Sequence, residues 1–115
     1  MKLIIAVIQP TKLTAVRDAL DRVGVTRLTV CDALGYARQR GHDETYRGYH
    51  VNTTLLRKIE LVIMVNDDFV ERTVDTITQV ARTGPEGNIG DGKIFILPAI
   101  ETYQISEDSQ GPEAV

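Results

Sequence analysis

The sequence contains few residues of the kinds that support covalent or redox chemistry. Its 115 residues include one cysteine and no tryptophan, and aromatic residues make up 5% of the chain. One cysteine cannot form an internal disulfide, so we expect a reducing compartment, by default the cytoplasm. Cys31 lies in the apolar run LTVCDAL, which is more typical of a buried thiol than of a nucleophile.

Long apolar runs are also missing. No run approaches the roughly 20 residues that a membrane-spanning helix needs, so we expect no direct membrane insertion. The N-terminal MKLIIAVIQP has an apolar stretch that is short for a signal peptide and continues into a helical pattern without a small-residue cleavage site. We therefore expect no export signal.

Positive charge is scarce and unevenly placed. The formal net charge is -3, from 13 Lys and Arg against 16 Asp and Glu. Glu107, Asp108 and Glu113 near the end of the chain account for this excess, and no cation follows Lys93. The remainder is formally neutral, so we expect no global attraction to nucleic acid.

The composition that remains is that of one ordinary globular domain. Apolar residues make up 43% of the chain and charged residues 25%. A chain of this length excludes two independent domains. We assign residues 1–106 to the domain and residues 107–115 to an acidic C-terminal tail.

Hydrophobic periodicity predicts the element order β-α-β-β-α-β. The predicted helices cover residues 12–23, capped by Thr11 and ended by Gly24, and a segment that opens at Asp67 and Asp68. The predicted strands cover residues 2–9, 25–35, 58–66, 93–99 and, briefly, 100–105. Two strand-helix-strand units with right-handed crossovers predict an α+β fold, a ferredoxin-like antiparallel sheet with both helices on one face.

Two of the predicted strands are apolar on both sides, whereas a sheet covered on one face should alternate apolar and polar residues. The first strand sets Leu3, Ile5 and Val7 against Ile4, Ala6 and Ile8. Leaving four or five such side chains in water would forgo about 1.5 to 3 kcal/mol each. Because two helices cover only one face, we predict a closed homo-oligomer with its sheets packed together.

Two segments fall outside the predicted helices and strands of this fold. Residues 37–57, ARQRGHDETYRGYHVNTTLLR, form a polar insertion where a short hairpin would suffice, which is typical of a functional moving loop. Residues 83–92, TGPEGNIGDG, pack four glycines ahead of Lys93. Such a backbone can cradle a phosphate beside a lysine, although a plain turn is the commoner use of this composition. The Walker spacing is absent.

Catalytic constellations find no support in the sequence. His42 and His50 have no cysteine partner and no His-x-x-x-His spacing, so a zinc site is not predicted. No Ser-His-Asp or Cys-His arrangement can be built, because Cys31 lies mid-strand. We therefore predict that the protein is not an enzyme.

Three segments together resemble the nitrogen-regulatory PII signal proteins. They are GYARQRGHDETYRG (35–48), ARTGPEGNIGDGKIF (81–95) and the closing GPEAV. The likeness in length and element order covers essentially the whole chain. It implies a homotrimer that binds an adenine nucleotide (ADP, AMP or ATP) in each of three clefts between subunits. It also implies that residues 37–57 dock into a regulated membrane transporter, enzyme or regulator according to ligand state.

The resemblance also assigns residues to the ligand. The adenine contacts implied are Val7, Thr29 and Met64. The phosphate contacts implied are Gly35, Ala37, Arg38 and Gln39 on one side and Gly90, Asp91, Gly92 and Lys93 on the other. Gln39 matches a glutamine that helps hold magnesium and 2-oxoglutarate, and Lys58 matches a lysine that helps bind the keto acid.

The sequence departs from the PII pattern at four places. Gln9 stands where a lysine usually pairs with the keto acid, which removes a contact of about 1.5 to 3 kcal/mol. Val51 replaces the usual modifiable tyrosine, so tyrosyl modification is excluded there. The Gly-rich loop carries an insertion, PEG or its equivalent. Gln104 and Ser106 replace two arginines that reach a neighbour's phosphates.

These departures shape the functional prediction. Losing two cations should weaken ATP binding more than ADP or AMP binding. We therefore predict a nucleotide sensor shifted toward ADP or AMP with a weak or absent 2-oxoglutarate response, unless Arg27 or Arg57 swings into the cleft.

Three alternatives remain open at this point. The first is a divergent carbon-sensing or bicarbonate-linked relative that reads adenylate charge. The second is a slow nucleotide hydrolase that uses Asp91 or Glu44, and the third is a structural trimer without a ligand.

Overall fold

The computed structural model describes residues 1–38, 45–46, 49–50, 53–106 and 108–115. The strands are β1 (Lys2–Ile8), β2 (Thr29–Arg38), β3 (Thr45–Tyr46), β4 (Tyr49–His50), β5 (Thr53–Val65) and β6 (Gly92–Pro98). The helices are α1 (Leu13–Arg22) and α2 (Val70–Ala81), and short 3-10 turns cover Pro10–Lys12, Asp67–Phe69 and Gly111–Ala114. The α+β class is confirmed.

The main sheet has four strands in the order β2-β5-β1-β6, and each neighbouring pair is antiparallel. Central β1 places Ala6 opposite Leu61 of β5 and Ile94 of β6. Strands β3 and β4 pair separately. Within the described residues, no helix is both long and apolar enough to cross a membrane.

One face of the sheet is sealed by α1 and α2. Alternate side chains of β1, namely Ile4, Ala6 and Ile8, are at most 1% exposed. They form one core with residues of β5, α1 and α2, including Leu61, Ile63, Val16, Leu20 and Ile77. Burial of such side chains stabilises the fold by about 1.5 to 3 kcal/mol each, so this face supplies the core of the single chain.

The opposite side of the sheet, called the open face below, is also apolar but is not sealed. Leu3, Ile5 and Val7 are half-buried there, and Phe95 and Leu97 of β6 are 50% and 43% exposed. The apolar character predicted for both sides of β1 is therefore present in the fold. The partner that would cover the open face stays a prediction.

The C-terminal segment folds back toward the sheet. The Gly111 N–H donates to the Thr102 carbonyl at 2.7 Å, and Asn66 Nδ2 donates to the Pro112 carbonyl at 3.1 Å. Ala114 is buried. The predicted strand around residues 100–105 is wrong, because Tyr103 makes a single bridge to Gln110 in place of a ladder.

Several predicted boundaries also need correction. Thr11 does not cap α1, because it lies inside a 3-10 turn and the helix begins at Leu13 without a side-chain cap. Gly24 follows the helix with a φ of 88°, as predicted. Cys31 is half-buried on the open face, opposite Glu60, and the prediction of a buried thiol is wrong.

The predicted long loop is shorter at both ends than residues 37–57. The ladder between β2 and β5 continues to the pair Arg38 and Thr53, so Ala37 and Arg38 belong to β2 and residues 53–57 to β5. Cross-strand backbone hydrogen bonds can extend a ribbon whether its side chains are polar or apolar. Polar composition alone therefore placed the loop ends incorrectly.

Candidate functional site

The carboxylate of Asp91 holds the Gly-rich loop together. It accepts hydrogen bonds from the Thr83 N–H at 2.9 Å, the Thr83 hydroxyl at 2.6 Å and the Asn88 N–H at 2.8 Å. The Thr83 and Asn88 hydrogen bonds lower the pKa of Asp91 to about 2. The predicted phosphate contact at Asp91 therefore has its carboxylate oxygens engaged inside the loop, where they stabilise the turn.

The carbonyl oxygen of Gly90 is held by two side chains from distant parts of the chain. Lys58 Nζ donates to it at 2.6 Å, and Gln9 Nε2 donates to it at 2.7 Å. Gly90 has a φ of 100°, a left-handed conformation that favours glycine. The contact joins the end of β1, the middle of β5 and the Gly-rich loop.

Glycine at two further positions permits this approach. Lys58 passes over Gly35 of β2, where an added Cβ would lie 3.7 Å from Lys58 Cγ. Gly92 has a φ of 127°, and a Cβ there would overlap the Val7 carbonyl oxygen. Gln9, Gly35, Lys58 and Gly90, called the Lys58 cluster below, thus lie together at one end of the open face.

Two of the three residues implied for adenine, Thr29 and Met64, lie at the other end of the open face. They line a cavity of about 490 Å³, called the Thr29 cavity below. Leu3 and Val62 supply apolar surface, and Arg27, Gln104, Ala114 and Val115 lie at the same cavity. The lining is mixed, with Leu3, Val62 and Met64 as the apolar part that a flat ring such as a purine base could contact.

The two ends of the open face are far apart along the strands. Thr29 and Gly35 are both on β2, six positions apart, which is about 20 Å at about 3.4 Å per residue. Val7 lies between the two ends, opposite Glu60 on one side and Lys93 on the other. Within one chain, the structure places Val7 beside Gly92 and Lys93. It keeps Thr29 and Met64 far from the residues implied for the phosphates.

A second cavity, of about 300 Å³, lies under β6 beside α2. Its lining includes Val7, Asp91, Gly92 and Lys93, all of which the family resemblance assigns to the ligand. Ile77 and Ala81 of α2 close its floor. Because α2 lines it, this cavity lies on the helix side of β6 and is separate from the open face.

Several nominated residues lie wholly or partly outside the described residues. Ala37 and Arg38 are placed by their backbones at the end of β2. Gln39, Glu44 and Val51 lie outside the described residues. In the described part of the chain, no group of three or more His, Cys, Asp or Glu residues could hold a metal ion.

Sequence reasoning missed the partners that fix the loop. Thr83 and Asn88 were not singled out, although Asp flanked by glycines is a common residue for bonding nearby backbone N–H groups. Gln9 was noted only as a missing lysine. Its contact with Gly90, which is 81 positions away, has no local sequence signature.

The two arginines considered as replacement cations have different surroundings. Arg57 Nη2 pairs with Asp32 Oδ1 at 3.1 Å, and both residues lie on the helix side of the sheet register. Arg27 lines the Thr29 cavity. Arg27 is therefore the better placed of the two to face a ligand on the open face.

Comparison with known proteins gives a consistent result. A family model described as "Nitrogen regulatory protein P-II" matches residues 1–109. The chain is 43% identical over 115 residues to nitrogen regulatory protein GlnK1 of Methanosarcina mazei, covering 100% of this chain and 97% of that protein. It is 42% identical to nitrogen regulatory protein P-II of Azospirillum brasilense and 43% identical to nitrogen regulatory protein P-II 1 of Escherichia coli, with both chains fully covered in each case.

Proposed function

This chain belongs to the nitrogen regulatory P-II family, and from that membership we propose that it binds an adenine nucleotide between identical subunits. Whether a nucleotide occupies this cleft then determines the conformation of residues 37–57. These residues dock on a target protein of nitrogen metabolism or transport. Such regulation requires only that ligands interact differently with the alternative loop states. We place the protein in the cytoplasm as a homotrimer.

The observation that carries this proposal is the distance between the Thr29 cavity and the Lys58 cluster, called the two half-sites below. Thr29 and Gly35 are about 20 Å apart along β2, farther than one extended nucleoside diphosphate reaches. Both half-sites are on the open face, whose half-exposed apolar side chains favour packing against further copies. In such an assembly, the Thr29 cavity of one subunit can meet the Gly-rich loop of its neighbour.

The residues present fit the parts of a nucleotide. Thr29 and Met64 offer a hydroxyl and an apolar surface for adenine, and Lys93 offers a positive charge for a phosphate. Gly90 and Gly92 let the backbone approach the phosphates closely. Asp91 acts by holding this loop in position. Gln39 is the proposed side chain for magnesium.

The nucleotide preference follows from the charge at the Thr29 cavity. Gln104 lines it and Ser106 lies next to Gln104, with Gln104 Nε2 3.4 Å from the Ser106 hydroxyl. Neither carries charge, so neither can reach from the edge of this cavity to make charge-assisted hydrogen bonds with the phosphates of a nucleotide whose base lies in it. We propose that ADP or AMP binds more tightly than ATP, with Arg27 supplying part of the positive charge.

A response to 2-oxoglutarate is proposed to be weak. Lys58 is already bonded to Gly90, and its neighbour Gln9 is neutral. A bicarbonate-linked role is less favoured, because the relatives at 42% to 43% identity are named nitrogen regulatory proteins. A hydrolase using Asp91 is also less favoured, because a carboxylate with a pKa of about 2 is a weak general base at neutral pH.

Calorimetry with ADP, together with light scattering, tests the proposal. We expect a particle of three times 12.8 kDa that binds ADP, and ADP at one hundred times its Kd should stabilise it by about 2.7 kcal/mol. Lys93→Met should weaken binding, whereas Arg17→Met, on the exposed side of α1, should not. A trimer that binds no adenine nucleotide, or a stable monomer, would overturn the proposal.

A further inference from the structure

Glu60 places a carboxylate in the apolar middle of the open face. It lies on β5 directly opposite Val7 of β1 and Cys31 of β2. Val62, two positions further along β5, is on the same face, because successive side chains of a strand alternate. Glu60 is half-buried in the single chain, and within the described residues no hydrogen bond or ion pair engages its carboxylate.

Covering the open face therefore has a cost at Glu60. Removing an ionised carboxylate from water is unfavourable unless a cation or several hydrogen bonds replace the water. Apolar neighbours such as Val7 and Val62 supply neither. A partner that covers this face must bring a positive charge to Glu60, because apolar surface alone does not compensate the carboxylate.

Lys93 places a cation on the same face. It lies on β6 opposite Val7, so Val7 separates it from Glu60 in one row across three strands. Neighbouring strands are about 4.8 Å apart, which places the backbones of Glu60 and Lys93 about 10 Å from each other. Lys93 is exposed, and among the residues that the structure describes no ion pair engages its ammonium group. The open face is thus complementary in charge to a second copy of itself.

Lys58 also lies on the open face, but its ammonium group has a contact within the chain. It donates to the Gly90 carbonyl at 2.6 Å, at the end of the face. The side chain of Lys93 has no such contact in the described part of the chain. Lys93 is therefore the better placed of the two lysines to turn toward a neighbouring subunit.

We propose that Glu60 pairs with Lys93 of the partner subunit and thereby makes the open face selective for identical subunits. In a cyclic trimer, different patches of neighbouring copies meet, so each subunit gives one carboxylate and one lysine to the ring. A buried ion pair of this kind sets the partner and the register more than it adds stability. The ammonium group has three N–H donors, so the pairing leaves donors for a phosphate. The inference deepens the proposed function, since it rests on the homotrimer.

Charge reversal in the protein without nucleotide tests the pairing. Glu60→Lys and Lys93→Glu each bring like charges together, so each should raise the concentration at which half of the trimer dissociates about a hundredfold. The double variant should recover to within about tenfold of the wild type, because it restores opposite charges. Light scattering over a dilution series measures all three midpoints. Unchanged midpoints in both single variants, or no recovery in the double variant, would overturn the proposal.

The ion pair between Asp32 and Arg57 is a matched control. It joins β2 and β5 on the helix side of the sheet, with Arg57 Nη2 3.1 Å from Asp32 Oδ1. Asp32→Lys and Arg57→Glu should leave the dissociation midpoint unchanged. Recovery of Glu60→Lys by Lys58→Glu, but not by Lys93→Glu, would mean that a different lysine is the partner and would overturn the assignment.

The two proposals fail in different ways. If the wild type is a trimer that binds ADP and charge reversal has no effect, the proposed function stands and the pairing is rejected. If the single variants dissociate and the double variant assembles, but the wild type binds no adenine nucleotide, the nucleotide part of the proposed function is wrong and the pairing stands. A wild type that stays a monomer would overturn both.

Discussion

The two faces of the sheet share the same strands and similar residue types but differ in burial. On the helix side, Leu61 and Ile63 are at most 1% exposed. On the open face, their chain neighbours Val62 and Met64 are only half-buried. The difference indicates that the helix side of the sheet supplies the core on which folding depends. The open face keeps accessible apolar surface that can bind other subunits or ligands.

The largest effect should come from truncation on the helix side. Leu61→Ala should lower the free energy of unfolding by about 2 to 5 kcal/mol, because it leaves a cavity in the core. In urea titrations this loss should be independent of protein concentration. The loss from Val62→Ala should instead grow with concentration, because oligomer stability follows mass action. Equal behaviour of the two variants would remove the distinction between the faces.

Two adjacent residues of β6 sharpen the comparison. Phe95 and Ile96 are 50% and 47% exposed but point to opposite faces, opposite Ile5 and Ile4 of β1. Phe95→Asp should bury an unpaired charge in the proposed interface, at a cost of several kcal/mol, and dissociate the oligomer. Ile96→Asp should not. Light scattering measures both, and a trimer that survives Phe95→Asp would contradict the interface.

A smaller effect should follow from restoring charge near the Thr29 cavity. The double variant Gln104→Arg with Ser106→Arg should tighten ATP binding about tenfold, since each charge-assisted bond contributes about 1.5 to 3 kcal/mol before desolvation and ordering costs. AMP binding should change less, because AMP has no γ-phosphate. Calorimetry gives both constants. An equal gain for AMP would mean that side chains at positions 104 and 106 do not reach the γ-phosphate.

The smallest effect should lie outside both faces, in the loop held by Asp91. Its pKa is lowered from 3.8 to about 2, so its contribution to stability is present above pH 3.8 and is lost as pH falls through about 2. The carboxyl carbon shift of Asp91, followed by NMR, should titrate near that value. Thr83→Val, which removes the hydroxyl donor, should raise the pKa. A midpoint near 3.8 in the wild type would contradict the hydrogen-bond pattern.

Local sequence patterns predicted most of the fold. The continuous apolar run of residues 2–9 predicted the span of β1 within a residue, but it did not predict that Ile4, Ala6 and Ile8 form the side that packs against the helices. The errors occur where tertiary context decides. The composition of residues 100–105 is typical of a strand, but within the described part of the chain this segment makes a single isolated bridge, between Tyr103 and Gln110.

The candidate site was less accessible to sequence reasoning. Family resemblance nominated Lys58 and Asp91 as ligand contacts, which stays a prediction. Their described bonds are internal, to Gly90 and to Thr83 and Asn88. Whether a polar group faces a ligand or its own loop depends on distances across the fold, which no spacing along the chain encodes.

The close contact between Gly92 and the Val7 carbonyl affects which insertions and deletions this protein can tolerate. Any side chain at position 92 would collide with the Val7 carbonyl, so the starting register of the edge strand is set there. Length variation upstream, between α2 and Gly92, can then be absorbed without moving Lys93 from its place opposite Val7. The Gly-rich loop before β6 is thus a natural position for grafting sequences of different lengths while β6 keeps its alignment with β1.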